Sequence, residues 1–175
     1  MIIRKGIDKD IDAVATIYEK IHIAEENGIA TIGWKRGVYP EKETALNALC
    51  RDDLFVIEEN NRIVGSAILN KIQVDVYAKA DWQYKANSSE VMVMHTLAVD
   101  PEMKHRGYGK SLIRFYEDYA LKNNCPYLRM DTIDINFVAR RLYQSMGYKE
   151  IGIMPCVFNG LEGTNLVLLE KCLKA

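Results

Sequence analysis

A basic segment interrupted by two glycines lies just past the midpoint of the chain. It follows an apolar run and reads Lys104-His105-Arg106-Gly107-Tyr108-Gly109-Lys110-Ser111. Glycine lets a backbone turn sharply and approach a ligand closely, and a helix that begins here would direct its free N–H groups toward an anion. Cationic side chains and backbone donors therefore converge on one place, which is the chemistry of a phosphate-binding loop.

Three phosphate-binding patterns compete for this loop, and the spacing of its glycines separates them. A Walker loop needs a glycine where Lys104 stands, and a dinucleotide-binding fingerprint needs a third glycine where Leu112 stands. The remaining pattern, [Q/R]-x-x-G-x-[G/A] after a strand ending in Leu97-Ala98-Val99, resembles the coenzyme A loop of the GNAT superfamily of N-acetyltransferases. Lys104 replaces the leading Gln or Arg and retains a positive charge. A glycine-rich loop without a ligand is the alternative.

A second motif downstream strengthens this resemblance. The segment from Asn136 to Tyr148 fits the pattern N-x-x-A-x-x-L-Y-x-x-x-G-[FY], with every fixed position filled, and is similar to the other cofactor-side motif of the superfamily. Its apolar periodicity predicts a helix that ends at Gly147, a natural C-terminal cap. The two motifs together extend from about Ser89 to Ile151, and the pair is far more specific than either motif alone.

The resemblance implies acetyl-CoA as the cofactor and indicates which residues bind it. In relatives the strand around Leu97 offers a backbone amide to the thioester carbonyl, Val99 pairs with pantetheine, and the tyrosine that matches Tyr143 lies near the sulfur. A phenol of pKa ~10 there could protonate the departing thiolate of pKa ~8.5. Packing of the Tyr143 ring with only a hydrogen bond to sulfur is the alternative. The implied cofactor-binding residues are Leu97, Ala98, Val99, Lys104, His105, Arg106, Gly107, Tyr108, Gly109, Lys110, Ser111, Asn136 and Tyr143.

Transfer of an acetyl group to an amine also requires a base, because an amine with a pKa near ~10.4 is protonated at neutral pH. His95 is the first candidate, since strict strand alternation would direct it to the same sheet face as Leu97. The run His95-x-Leu-Ala-Val also resembles a strand of arylalkylamine N-acetyltransferases, although their additional upstream histidine is Val93 here. A structural histidine is the alternative reading. Glu90, at the start of the strand, is the second candidate, with a solvated end charge as its alternative.

Aromatic residues on two connecting segments predict the acceptor site. These segments usually form the acceptor mouth in relatives, and together with nearby lysines and arginine they would suit an amine carrying an aromatic or carboxylate group. An acidic rim suited to polyamines is not evident. The alternative is that these aromatic residues only cover the core. The candidate substrate residues are Trp34, Tyr39, Tyr77, Trp82 and Glu90.

Composition excludes several other classes of function. The 23 basic and 24 acidic residues nearly cancel, so no overall charge attracts nucleic acid or an anionic membrane. Neither a membrane-spanning run nor a signal-peptide apolar region is evident, which indicates a cytoplasmic protein. The four cysteines are widely spaced with no C-x-x-C pair, so no metal site is expected.

The order of the predicted elements is β-α-α-β-β-β-α-β-α-β-β within one domain spanning residues 1–175. The GNAT resemblance implies an α/β (α+β) fold with a central mixed, splayed β-sheet flanked by helices. We therefore expect an acetyl-CoA-dependent N-acetyltransferase that transfers the acetyl group directly to a primary amine of a small molecule or peptide in a ternary complex. It would act as a monomer or homodimer. The alternative is a non-catalytic acetyl-CoA-binding regulatory module with the same fold.

Overall fold

The computed structural model describes residues 1–174 and contains one seven-stranded sheet with four α-helices. The strands are β1 (Ile2–Lys5), β2 (Leu54–Glu59), β3 (Arg62–Asn70), β4 (Val91–Val99), β5 (Tyr127–Ile133), β6 (Lys149–Phe158) and β7 (Leu161–Cys172). The helices are α1 (Ile11–Glu26), α2 (Lys42–Cys50), α3 (Tyr108–Lys122) and α4 (Phe137–Ser145). The expected order of elements and the mixed sheet flanked by helices are confirmed.

Helices cover both faces of the sheet because each has an apolar stripe. Along α1, Val14, Ile17, Tyr18 and Ile21 recur at helical spacing and are buried against one face of the sheet, together with α2. On the opposite face, α3 and α4 pack against the apolar side chains of the central strands. A third cluster forms where the connection between β3 and β4 covers the sheet. No helix in residues 1–174 is long and apolar enough to cross a membrane.

The strand order is β1-β2-β3-β4-β5-β7-β6, and β4 with β5 is the one parallel pair among neighbouring strands of residues 1–174. Their pairing begins at Val91 with Tyr127 and ends at Met94 with Met130. Beyond that point β5 continues to pair with β7, while the rest of β4 remains paired with β3 only. The two central strands therefore separate, and this opening is the expected splay of the sheet.

A β-bulge interrupts β4 at the edge of the opening. Ser66 pairs with Ala98 and Ile68 pairs with His95, so β4 contains one more residue than β3 over this stretch. Thr96 has a φ of 49°, which is uncommon for a β-branched residue. An extra residue reverses the alternation of side chains, so the residues before and after the bulge do not follow one parity.

Several element boundaries differ from those predicted by the sequence. The turn between β2 and β3 has positive φ at both Asn60 and Asn61, as expected for asparagines in a tight turn. In contrast, the sequence predicts a strand over residues 62–74, but β3 ends at Asn70, because the Asn70 side chain accepts a hydrogen bond from the N–H of Ile72 and turns the chain. The sequence predicts a closing strand over residues 148–154, whereas β6 starts at Lys149 and continues to Phe158.

Candidate active site

The opening between β4 and β5 contains a cavity of about 590 Å³ that reaches both faces of the sheet. Its wall on one side consists of the Lys104–Gly109 loop and residues of α4. Its wall on the other side consists of α1, the chain that follows it, and two aromatic residues, Tyr39 and Phe158. Two ligands that approach from opposite faces of the sheet can therefore meet between the separated strands.

The glycine-rich loop has the geometry of an anion cradle. Gly107, the N-cap of α3, has a φ of 82°, a conformation that residues with a Cβ rarely adopt. The first helical hydrogen bond runs from the N–H of Ser111 to the carbonyl of Gly107, so the N–H groups of the preceding residues of α3 are free for a ligand. No acidic residue lies in this first turn. A Cβ on Gly109 would lie 3.2 Å from Leu142 Cδ2, which leaves little space for a larger residue.

Most of the predicted cofactor-side residues line this cavity. They are Leu97, Val99, Lys104, His105, Arg106, Gly107, Tyr108, Gly109, Asn136 and Tyr143. Ala98, Lys110 and Ser111 do not line it. Ala98 is buried on the α1 face of the sheet, and the hydroxyl of Ser111 donates to the carbonyl of Gly107, so Ser111 helps to shape the loop. The arrangement fits a pyrophosphate at the start of α3 and an extended chain along the unpaired edge of β4.

Asn136 and Gly147 position Tyr143 by fixing the two ends of α4. The side chain of Asn136 accepts a hydrogen bond from the N–H of Ala139 at 3.1 Å, and Gly147, with a φ of 85°, follows the last turn. Tyr143 lines the cavity and is only 6% exposed. Burial and the nearby charge of Asp131 raise its pKa well above the ordinary value. Its phenol therefore remains protonated at neutral pH and can donate a hydrogen bond, and the raised pKa makes it a weaker acid than an ordinary phenol.

His95 also lines the cavity, but its side chain does not lie on the same face as Leu97. Leu97 packs in the cluster on the α3 face together with Met94, which shows that the bulge at Thr96 has shifted the alternation. The expectation that His95 and Leu97 share one face is therefore wrong. Sequence alternation failed here because nothing in the local sequence marks the extra residue.

The environment of His95 determines its protonation. Nε2 lies 3.1 Å from both Asn70 Oδ1 and the carbonyl oxygen of Ile72. Because both of these atoms are acceptors, Nε2 carries the hydrogen and Nδ1 is the unprotonated nitrogen. Burial lowers the pKa of His95 to about 4. His95 is therefore neutral at physiological pH, and its Nδ1 is a much weaker base than that of an ordinary histidine.

Asp131 is the site residue that sequence reasoning missed. It lies on β5 directly after Met130, where β4 and β5 separate, and it lines the cavity. Tyr77 donates a hydrogen bond from its hydroxyl to Asp131 Oδ2 at 2.8 Å. Burial raises the pKa of Asp131 to about 6, although the Tyr77 hydroxyl opposes that rise. A carboxyl that ionises close to neutral pH in a cavity has the properties of a general base. The available sequence signal was an acidic residue inside an otherwise buried strand.

Three of the predicted substrate residues lie elsewhere. Tyr77 and Trp82 do not line the cavity but are buried in the cluster beneath the connection between β3 and β4, where Trp82 Nε1 donates to the carbonyl of Tyr77. Tyr77 acts on the site only through Asp131. Glu90 lies at the opposite end of β4 and pairs with Lys174 at 3.7 Å, roughly 20 Å of strand away from Leu97. The prediction that Glu90 is the second candidate base and a substrate residue is therefore wrong.

The other two predicted substrate residues, Trp34 and Tyr39, do line the cavity. Their rings meet edge to face with centroids 6.1 Å apart, and Tyr39 makes a similar contact with Phe158. The Tyr39 hydroxyl is hydrogen-bonded to Thr96 at the bulge, and burial raises its pKa to about 12. These rings form a continuous aromatic wall on the α1 side of the opening.

Comparison with known proteins identifies the family of this chain. Residues 17–148 match the model of the acetyltransferase (GNAT) family. The chain belongs to the GNAT family. Members of this family are acetyl-CoA-dependent acyltransferases, and this GNAT protein is accordingly an acetyltransferase that uses acetyl-CoA.

Individual relatives agree with this family. The GNAT protein is 27% identical over 173 residues to an uncharacterized N-acetyltransferase of Methanocaldococcus jannaschii, covering 98% of this chain and 92% of the relative. It is 25% identical over 76 residues to aminoglycoside N(6')-acetyltransferase type 1 of Salmonella typhimurium, covering 43% of this chain and 52% of that one.

Solved structures show the same fold. A GNAT acetyltransferase from Streptococcus agalactiae superposes with a TM-score of 0.82 at 18% identity. The superposition covers 99% of this chain and 96% of the Streptococcus agalactiae chain. The yncA protein from Salmonella typhimurium, solved with its cofactor acetyl-CoA, superposes with a TM-score of 0.68 at 20% identity, covering 100% of this chain and 95% of that chain.

Proposed function

We propose that this GNAT protein transfers the acetyl group directly to a primary amine of a small molecule or peptide, with donor and acceptor bound together. The observation that supports this most directly is the opening between β4 and β5. It brings the phosphate loop, Tyr143 and Asp131 into one cavity that can be entered from both faces of the sheet. Neither of the two ligands needs to leave before the other arrives.

The residues on the α3 side of the opening would hold acetyl-CoA, which supplies a thioester-activated acetyl group when it is bound. The free N–H groups at the start of α3, together with Lys104 and Arg106, bind the pyrophosphate. The unpaired edge of β4 orients the extended part of the cofactor around Leu97 and Val99. Tyr143, which lines the cavity, keeps the proton on its hydroxyl and would donate a hydrogen bond to the leaving sulfur.

Asp131 is the base in this proposal, in place of His95. A general base works best when its pKa lies near the operating pH. It must be unprotonated before the reaction and yet basic enough to take a proton from the amine. The pKa of Asp131 is raised to about 6 and that of His95 is lowered to about 4, so Asp131 meets this condition better. A carboxylate also attracts the ammonium form of the acceptor, whereas a neutral imidazole does not.

Release of free thiol from acetyl-CoA, measured across a panel of primary amines, tests the proposal. We expect release that depends on the amine, with the acetylated amine identified by mass spectrometry. Asp131→Asn should lower the rate by about 10²-fold, the usual effect of losing a general base. The matched Asp81→Asn substitution removes a carboxylate that is 99% exposed and should leave the rate unchanged. Tight acetyl-CoA binding without thiol release for any amine would contradict the proposal and favour a regulatory binding module.

A further inference from the structure

Apolar side chains dominate the acceptor side of the cavity, and the polar residues that line it there, Thr31, His95 and Thr96, carry no charge at neutral pH. This side lies opposite the phosphate loop, across the opening between β4 and β5. Its apolar lining residues are Ile21 and Ala24 of α1, Ile29 and Ile32 of the following chain, Ile133 at the end of β5 and Ile135 just after it, and the aromatic residues Trp34, Tyr39 and Phe158. The aromatic residues are fixed in position by their edge-to-face contacts, so this wall presents a preformed apolar surface to a ligand.

Charge on this side is limited to one carboxylate. Among the residues that line the cavity within 1–174, Asp131 is the one acidic residue, and the cationic side chains Lys104 and Arg106 belong to the phosphate loop. Two charged groups on the chain around α1, Glu25 and Arg36, already have protein partners. Glu25 accepts hydrogen bonds from the N–H groups of Ile32 and Gly33, and Arg36 pairs with Glu26 at 2.8 Å. Neither is directed at a ligand.

This charge pattern selects among amines. One ammonium group can be placed against Asp131, but a second ammonium group nearby would be buried without a carboxylate partner. A carboxylate on the acceptor would likewise find no cation on this side of the opening. The lysines that the sequence places near the acceptor mouth do not line the cavity. Lys85, for example, is paired with Asp81 at the surface.

We propose that the acceptor of this GNAT protein is a primary monoamine carried on an apolar body, aromatic or branched aliphatic, without a second ammonium group or a carboxylate beside the amine. This inference rests on the proposed amine acetyltransferase function and specifies its substrate class. It differs from the polycationic acceptor named for the aminoglycoside acetyltransferase of Salmonella typhimurium. The apolar wall binds the body of the acceptor, and Asp131 receives the proton of its ammonium group.

Comparison of kcat/KM for four amines tests this inference. 2-Phenylethylamine has an apolar body and a single amine, phenylalanine adds a carboxylate, and spermidine and kanamycin add further ammonium groups. We expect 2-phenylethylamine to exceed each of the others by at least about tenfold, which is the discrimination that one unpaired buried polar group readily produces. Faster acetylation of spermidine, kanamycin or phenylalanine would overturn the inference while leaving the proposed function intact. No acetylation of any primary amine would overturn the proposed function itself.

A charge added to the wall gives a second test. Ile29 lines the cavity and is 68% exposed, so Ile29→Asp adds an acid at the rim without opening the core. We expect the ratio of kcat/KM for spermidine to that for 2-phenylethylamine to rise by at least about fivefold. Val157→Asp is the matched control, because Val157 is also 68% exposed but does not line the cavity, and its ratio should remain that of the wild type. An unchanged ratio in Ile29→Asp would show that this wall does not contact the acceptor.

Discussion

Because the pKa of Asp131 is raised in the folded protein, we predict that ionised Asp131 lowers the free energy of unfolding. Its carboxyl ionises near pH 6 in the folded protein, compared with an ordinary value of 3.8. The folded state therefore binds this proton more tightly than the unfolded state, and stability falls as the pH rises from about 4 to about 6. With about 1.4 kcal/mol for each tenfold difference in ionisation, the loss is about 3 kcal/mol, or about 2 kcal/mol after allowing for solvent access to the cavity.

Asp131→Asn removes this loss because the amide does not ionise and its oxygen can still accept the hydrogen bond from Tyr77. Urea unfolding at several pH values should show the variant about 2 kcal/mol more stable than wild type at pH 7, with the difference shrinking toward zero at pH 4. Asp81→Asn, at an exposed position, should change the stability by less than about 0.5 kcal/mol at any pH. A variant that is less stable at pH 7, or a difference that does not depend on pH, would refute the assigned environment of Asp131.

Three further substitutions test the remaining parts of the site. Gly109→Val places side-chain atoms against Leu142 at the loop and should weaken acetyl-CoA binding by at least about tenfold in calorimetry, whereas Gly152→Val, where a Cβ meets open space, should not. Tyr143→Phe should lower kcat by about 10²-fold with unchanged cofactor affinity. The same change at neighbouring Tyr148 should leave kcat unchanged. Equal effects of the two substitutions on kcat would show that Tyr143 has a structural role only. His95→Gln keeps an N–H donor for Asn70 Oδ1 and the carbonyl of Ile72 and should retain kcat/KM within about threefold. A loss of kcat/KM near about 10²-fold would instead show that His95 is the base.

The backbone geometry on the cofactor side of the candidate site could be predicted from sequence because it depends on residues close together in the chain. Gly107 must adopt a positive φ, Asn136 must cap a helix and Gly147 must end it, and each requirement acts within a few residues of its neighbours. Such requirements leave a fixed spacing in the sequence. The order of the elements followed from the same kind of local rule.

The acceptor side depends on contacts between distant segments, and here sequence reasoning was less successful. Tyr77 and Trp82 are aromatic residues of the kind that line binding sites. In the structure their side chains are buried against β4 and β7 as part of the core. The burial of Asp131 depends on Tyr77, which lies 54 positions earlier in the chain. The bulge at Thr96 results from the pairing of β4 with β3, so strand alternation alone placed His95 on the wrong face.

The central claim, that Asp131 accepts the proton of the amine in this GNAT protein, is tested most directly by the pH dependence of kcat/KM. Single-turnover reactions with 2-phenylethylamine between pH 4.5 and 8 would compare wild type with Asp131→Asn and His95→Gln. We predict that the ratio of wild type to Asp131→Asn rises with pH, reaches its midpoint near the pKa of about 6, and then levels off. His95→Gln should keep the wild-type profile. A ratio that stays constant across this range, or a wild-type profile that changes in His95→Gln, would contradict the assignment of Asp131 as the base.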